Sequence, residues 1–218
     1  TELWPLTQEV RQEKIILPQL VWAEGFITQY FSERKLLLAE YLPNHWGYYN
    51  CAKKFFSNSN YILVEPYFDP DLANGDVQNS DMIDEASKNS MDGVFLFEAL
   101  DRSIAPFNLL QIVFNSLKSG GLCFITCLLS SGFEIKILGQ KSEIFVPPER
   151  MNLLSYEGMN TLIEKLDGFE ILEFSTPGVL DISNVINQPE VMEGFDFFQY
   201  IFRFRKDPEL LSSFQDYL

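Results

Sequence analysis

Four short apolar runs constrain the fold of this chain more than any other feature of its sequence. They read KLLLAE at 35–40, YILV at 61–64, GVFLF at 93–97 and LCFITCLL at 122–129. Each run is continuous rather than alternating, which is typical of strands buried on both faces of a parallel sheet. Segments with helical spacing lie between the runs, over 46–56 and 106–118. The sequence therefore predicts an α/β fold with a mostly parallel central sheet and helices on both faces.

Weaker signals complete the predicted order of elements. The acidic segment 67–90 contains turn dipeptides and room for a short third strand near Val77. Residues 133–145 suggest further extended structure. Residues 155–166 read as a helix with Ser155 as its N-cap. The alternation over 168–174 predicts another strand.

Chain length and composition indicate one folded domain with modest appendages. A chain of 218 residues fits that size, and 46% hydrophobic and 15% aromatic content argue against disorder. We expect a helical or irregular segment over 1–34, the main domain over 35–185, and an aromatic helical segment over 186–218 that packs on it.

Charge and residue counts exclude several classes of function. A net charge of −15 and a pI near 4.4 disfavour a nucleic-acid partner. No apolar run approaches the ~18 residues that span a bilayer, and the first residues do not resemble a signal peptide, so a cytoplasmic protein is expected. Cys51, Cys123 and Cys127 read as free thiols in a reducing compartment. With His45 as the single histidine, no metal site is predicted.

Acidic residues follow the predicted strands where such a sheet binds its ligands. Ligands of open parallel sheets lie beyond the carboxyl ends of the strands. Glu40, Glu65, Asp81 or Asp84, and Glu98 stand at those ends. An acid after the second strand can accept hydrogen bonds from ribose hydroxyls, and one after the third can accept from an adenine amino group. The alternative is that these acids are ordinary solvated loop residues.

Several motifs in order resemble one enzyme family. Residues 92–126 run from an aspartate through an apolar strand, an acidic turn and a helix to the turn LKSGG. This pattern resembles the later motifs of class I S-adenosylmethionine-dependent methyltransferases. PPERMN at 147–152 and TPGVLD at 176–181 are similar to a subgroup linked to sugar and small-metabolite pathways. The resemblance covers about 35–185 and implies a Rossmann-like methyltransferase fold, S-adenosylmethionine as cofactor, and a small-molecule or sugar-type acceptor.

The resemblance also implies roles for individual positions. Glu40 matches the acid that opens the cofactor loop, and Gly47 is the glycine of that loop that is retained. Glu65 matches the acid that binds the ribose, and Asp81 matches the residue on the adenine side. The wall beside the methyl group would be formed by Phe97 and Glu98.

The cofactor loop departs from the family pattern. Leu42 and Asn44 stand where glycines would let the backbone approach the cofactor, and Pro43 removes an N–H group. We therefore hypothesise that cofactor affinity is weak or absent.

The positions of the expected base depart as well. Arg102 and Arg150 stand where the subgroup offers histidines. A guanidinium stays protonated and cannot act as a base. These arginines either clamp an anion or, as we expect, pair with Asp101 and Glu149. His45, in the cofactor loop, is either a replacement base or an ordinary loop histidine.

Two functions remain open at this point. The first is methyl transfer to a small or sugar-type acceptor. The second is a catalytically inactive methyltransferase-like domain that has lost cofactor binding and serves as a partner-binding or structural subunit. In the second case the aromatic residues over 195–204 would contact a protein partner or a second copy of the chain, although ordinary core packing explains them better.

Overall fold

The computed structural model describes residues 8–32, 35–42, 46–64, 77–78, 88–142 and 150–176, together with 207, 209 and 213. Its centre is a five-stranded sheet in the order β3-β2-β1-β4-β5, in which every neighbouring pair is parallel. The strands are β1 (Leu37–Tyr41), β2 (Asn60–Val64), β3 (Val77–Gln78), β4 (Met91–Phe97) and β5 (Leu117–Thr126). The predicted parallel sheet is confirmed, including the short strand at Val77.

Helices precede, connect and follow these strands. They are α1 (Gln8–Arg11), a π-helical stretch (Gln12–Ile16), α2 (Leu17–Tyr30), α3 (Trp46–Phe55), α4 (Pro106–Ser116), α5 (Phe133–Leu138) and α6 (Tyr156–Glu164). The helices predicted over 46–56, 106–118 and 155–166 are confirmed. The N-cap of α6 is also confirmed, because Ser155 Oγ accepts a 3.0 Å hydrogen bond from the Gly158 N–H.

Apolar side chains cover both faces of the sheet, as the continuous runs predicted. One face is aromatic: Phe95 of β4 stacks on Phe124 of β5 with ring centroids 5.0 Å apart. Helices α2 and α3 pack on that face, and Leu20 of α2 is fully buried there. Helices α4 and α6 cover the other face, where Leu110 is fully buried. The N-terminal helices therefore share the core of the sheet. The aromatic segment 186–218 lies almost wholly outside the described residues.

Two predicted extended segments are wrong. Residues 133–138 form α5, followed by a 3₁₀ turn over Gly139–Lys141. The residues that α5 buries are Glu134, Ile137 and Leu138, a spacing that places them on one side of a helix. Residues 169–176 have no regular structure. Their apolar side chains contact helices instead: Phe169 meets Phe114, and Phe174 meets Tyr156.

The glycine turn predicted at 119–121 lies inside an irregular part of β5 rather than before the strand. Two steps along β4, from Met91 to Gly93, face five steps along β5, from Leu117 to Leu122. Gly120 has φ +77°, which glycine adopts readily. A Cβ on Gly121 would lie 2.9 Å from the Lys118 carbonyl oxygen. The extra residues thus need glycine, and α4 ends two residues earlier than predicted, at Ser116.

Candidate functional site

The candidate site lies at the carboxyl ends of β1 and β4. Strand β1 has β2 on one side and β4 on the other, so the order of strands reverses between β1 and β4. Parallel sheets bind ligands in the crevice outside such a switch point. β1 ends at Tyr41 and β4 at Phe97. Residues 98–103 then form the turn that leads to α4, and this turn carries most of the charged groups of the site.

Glu40 is buried beneath this crevice, on the aromatic face of the sheet. Its side chain is fully buried, and its Oε2 accepts a 3.0 Å hydrogen bond from the Tyr61 hydroxyl. Burial raises the pKa of Glu40 to about 8, against smaller opposing effects of the Tyr61 hydrogen bond and the Arg102 charge. The carboxyl group is therefore mostly protonated at neutral pH. Its Oε1 has no hydrogen-bond partner among the described residues.

Leu42, directly after β1, has the backbone conformation of a glycine. Its φ is +51°, in the left-handed region that costs a leucine conformational energy. Its N–H donates to the Val64 carbonyl of β2 at 3.0 Å. The side chain packs against the core on the α4 face of the sheet. The position that matched a family glycine therefore keeps a glycine-like backbone while it carries an isobutyl group.

Phe97 and Glu98 lie at the end of β4 as expected, but only Glu98 is partly exposed. The Phe97 ring is fully buried, with its centroid 5.1 Å from that of Tyr48 in α3. Glu98 has φ +52°, and its N–H donates to both the carbonyl and the hydroxyl oxygen of Thr126. Burial, and then the charge of Glu98, raise the pKa of Tyr48 far above its usual value.

Arg150 forms a buried ionic network with acids of the β4 turn. One guanidinium nitrogen donates to Asp101 and another donates to Glu98 Oε2 at 3.1 Å. Burial raises the pKa of Asp101, Arg150 opposes that effect, and the charge of Glu98 adds to it. Arg150 thus pairs with Asp101, while Glu149, its expected partner, lies outside the described residues. As placed, Arg150 holds the turn together rather than facing an anionic ligand.

Arg102 binds two backbone carbonyls through its guanidinium, and its charge is one of the smaller effects that oppose the burial-raised pKa of Asp101. Its Nε donates to the Glu98 carbonyl at 2.8 Å, and its Nη2 donates to the Leu42 carbonyl at 2.5 Å. We call this pair of hydrogen bonds the Arg102 bridge. It joins the end of β1 to the end of β4 across the switch point. No sequence pattern indicates this contact, because a backbone carbonyl 60 residues away can accept a hydrogen bond whatever its residue type.

Several predicted site residues lie outside the described part of the chain. They are Glu65, Asp81 and His45. Gly47 falls in the first turn of α3. The structure therefore brings Glu40, Phe97 and Glu98 to one end of the sheet and adds Tyr61 and Tyr48, which sequence reasoning missed. Tyrosines near an acid could have been suspected only once the strand register was known.

Among the residues that the structure describes, the remaining chemistry-bearing groups form no second centre. All three cysteines are free, and burial raises the pKa of Cys123 and Cys127 to about 12, so both are thiols at neutral pH. Within the described ranges, no three metal-ligating side chains come together. Nor does any helix of those ranges have the length and apolar character of a bilayer-crossing segment.

Solved structures identify the fold. A S-adenosylmethionine-dependent methyltransferase from Thermotoga maritima, described as a possible histamine N-methyltransferase, is 17% identical, covers 73% of each chain and superposes with a TM-score of 0.50. The plantazolicin methyltransferase BpumL, in complex with SAH (S-adenosylhomocysteine), is 10% identical over 84% of this chain and 80% of its own, with a TM-score of 0.54. The complex of BpumL with SAH and a monoazolic desmethylPZN analog gives 0.53. This chain has the fold of the class I S-adenosylmethionine-dependent methyltransferases.

Sequence comparison adds no family assignment. No protein-family model matches the chain, and no curated protein matches it. At 10% to 17% identity, the likeness to the solved structures concerns the fold.

The described residues offer polar groups that suit such a cofactor, but one of them departs from the expected cofactor loop. The buried Glu40 Oε1 has no hydrogen-bond partner among the described residues, and Glu98 places a partly exposed acid at the end of β4. Both suit the amino and hydroxyl groups of an amino acid–nucleoside. Leu42, whose carbonyl accepts from Arg102, stands at a position where the sequence resemblance expects a glycine.

Proposed function

We propose that this protein is a S-adenosylmethionine-dependent methyltransferase that acts on a small-molecule or sugar-type acceptor. The observation that carries the proposal is the five-stranded parallel sheet with Glu40 at the end of its central strand, beside the switch point. The sequence resemblance, and not the fold, suggests the acceptor class. Three free thiols and the acidic composition are consistent with a cytoplasmic enzyme that has no nucleic-acid substrate.

Methyl transfer requires little covalent chemistry from the protein itself. When bound, the cofactor would supply a methyl group carried on a positively charged sulfur, which would leave as a neutral thioether when the methyl group passes to the acceptor atom, whose proton would go to solvent. The chain has to hold the two reactants in line, which can lower a barrier by several kcal/mol. Glu65 and Asp81 would bind the ribose and the adenine, and Glu98 would face the reacting end. This assignment does not require a histidine base.

A second candidate is a domain of the same fold that no longer binds the cofactor. Two observations favour it. A leucine side chain stands at a position with a glycine-like backbone, and Arg102 joins the two strand ends that flank the crevice. The aromatic residues over 195–204 would then serve a protein partner or a second copy of the chain. Fold alone does not distinguish the two candidates.

Titration calorimetry with S-adenosylhomocysteine separates them. We expect the wild-type protein to bind with a micromolar dissociation constant and Glu65→Ala to weaken binding at least about tenfold, since a ribose hydrogen bond to a charged group is worth about 1.5–3 kcal/mol. Glu170→Ala, which removes an exposed acid from an irregular segment, is the matched control. Absence of binding at millimolar ligand would instead establish the inactive domain, and unchanged affinity in Glu65→Ala would refute the ribose assignment.

A further inference from the structure

The Arg102 bridge connects the end of β1 to the turn after β4, two elements whose other described contacts run through the sheet. The last backbone pair between β1 and β4 in the ladder is Glu40 with Phe95, so the two strand ends diverge beyond it. Arg102, which is partly buried, reaches from the β4 turn to the Leu42 carbonyl two residues past that pair. An interaction of a guanidinium with a carbonyl is a charge-assisted hydrogen bond, stronger than one between neutral groups.

Leu42 is held on both sides in its left-handed conformation. Its N–H is bonded to Val64 of β2 and its carbonyl to Arg102. Left-handed backbone is unfavourable for a leucine and persists where the surroundings impose it. The two hydrogen bonds hold Leu42 in this conformation, and of the two it is the one from Arg102 that crosses the switch point.

We propose that Arg102 controls access to the cofactor crevice: the protein binds the nucleoside cofactor only after the guanidinium leaves the Leu42 carbonyl. This inference rests on the proposed function, because it assumes that the crevice binds S-adenosylmethionine. Conformers with the bridge intact do not bind, so the measured affinity is the intrinsic affinity multiplied by the fraction of molecules in which the bridge is open. Arg102 is thus a positioning residue that acts through the β1 end, rather than a catalytic one.

The test is calorimetric binding of S-adenosylhomocysteine to Arg102→Met. This ligand is chosen because it is neutral overall, so the loss of one positive charge from the protein changes its affinity little. Methionine keeps the length and apolar stem of arginine and removes every donor. The control is Lys118→Met, which removes one positive charge and one ion pair, to Asp92, at the opposite end of the sheet. Arg102→Lys is a second variant that keeps the charge but loses the planar fork able to reach both carbonyls.

We expect Arg102→Met to bind about tenfold more tightly than the wild type, Arg102→Lys to gain less, and Lys118→Met to match the wild type. If Arg102→Met unfolds, the gain in Arg102→Lys decides the question. Equal or weaker affinity of both Arg102 variants, with a wild type that binds, overturns the access role and leaves the methyltransferase proposal standing. No binding by the wild type or by any variant overturns both. An equal gain in Lys118→Met assigns the effect to charge and also overturns the access role.

Discussion

At the scale of single residues, the burial of Glu40 is the least expected feature of the site. A carboxyl group inside an aromatic core avoids the cost of an isolated buried charge by staying protonated. Its hydrogen bond to Tyr61 satisfies one oxygen and leaves the other available. The same acid that the family resemblance assigns to the cofactor loop is therefore, in this structure, also part of the core.

The pKa of Glu40 predicts how stability depends on pH. The value in the folded protein, about 8, lies above the ordinary 4.5, so the folded state holds a proton that the unfolded state has lost. The contribution of Glu40 to stability is complete below about pH 4.5 and is lost as the pH rises to about 8. At about 1.4 kcal/mol per unit of pKa shift, the loss amounts to a few kcal/mol at most.

Glu40→Gln, which cannot ionise, should remove this dependence. Urea unfolding at a series of pH values between 5 and 8 should show the free energy of unfolding of the wild type falling relative to that of the variant. Glu170→Gln, at an exposed position, should follow the wild type. Parallel curves for the wild type and Glu40→Gln over that range would contradict the buried, neutral acid.

At the scale of elements, glycines accommodate the extra residues at the irregular start of β5. Extra residues on β5 must leave the ladder and return between Leu117 and Leu122. Asp92 closes this region, because it accepts hydrogen bonds from the Leu37 N–H at 2.8 Å and from Lys118 Nζ at 2.7 Å. The strands β1, β4 and β5 are thereby aligned at their amino ends.

Two glycine-to-alanine substitutions should have opposite effects on stability. Gly121→Ala places a Cβ 2.9 Å from a backbone oxygen and should destabilise the protein by about 1–3 kcal/mol. Gly25→Ala, inside α2 with no atom within 4 Å of the added methyl group, should stabilise it by up to about 1 kcal/mol. Thermal unfolding of both variants measures the two effects. A neutral result for Gly121→Ala would contradict the close packing of the irregular segment.

At the scale of the whole molecule, the net charge of −15 creates a field that attracts cations. S-Adenosylmethionine carries one more positive charge than S-adenosylhomocysteine. Raising the ionic strength from about 0.1 M to about 1 M shortens the screening length from about 10 Å to about 3 Å. Calorimetry should therefore show salt weakening the binding of S-adenosylmethionine more than that of S-adenosylhomocysteine. An equal salt dependence of the two ligands would show that the field of the protein does not act at the crevice.

The elements predicted from the sequence differ in how well they agree with the structure, for a physical reason. Continuous apolar runs such as YILV and GVFLF can be satisfied only by burial on both sides, so they specified β2 and β4. The apolar residues that alternate over 168–174 can be covered either by a neighbouring strand or by helices. Among the described residues they pair with no strand; Phe169 instead contacts the ring of Phe114 in α4, and Phe174 contacts that of Tyr156 in α6.

The parallel sheet, most of its helices, and the positions of Glu40 and Glu98 at strand ends were predictable from the sequence alone. Those features follow from hydrophobic periodicity and local turn chemistry, which act over a few residues. Three features depend on the tertiary structure: the raised pKa of Glu40 with its hydrogen bond to Tyr61, the ion pairs of Arg150 within the protein, and the contact of Arg102 with Leu42. Each of these depends on groups between 21 and 60 residues apart, whose meeting is set by strand order and register. No local pattern encodes that meeting.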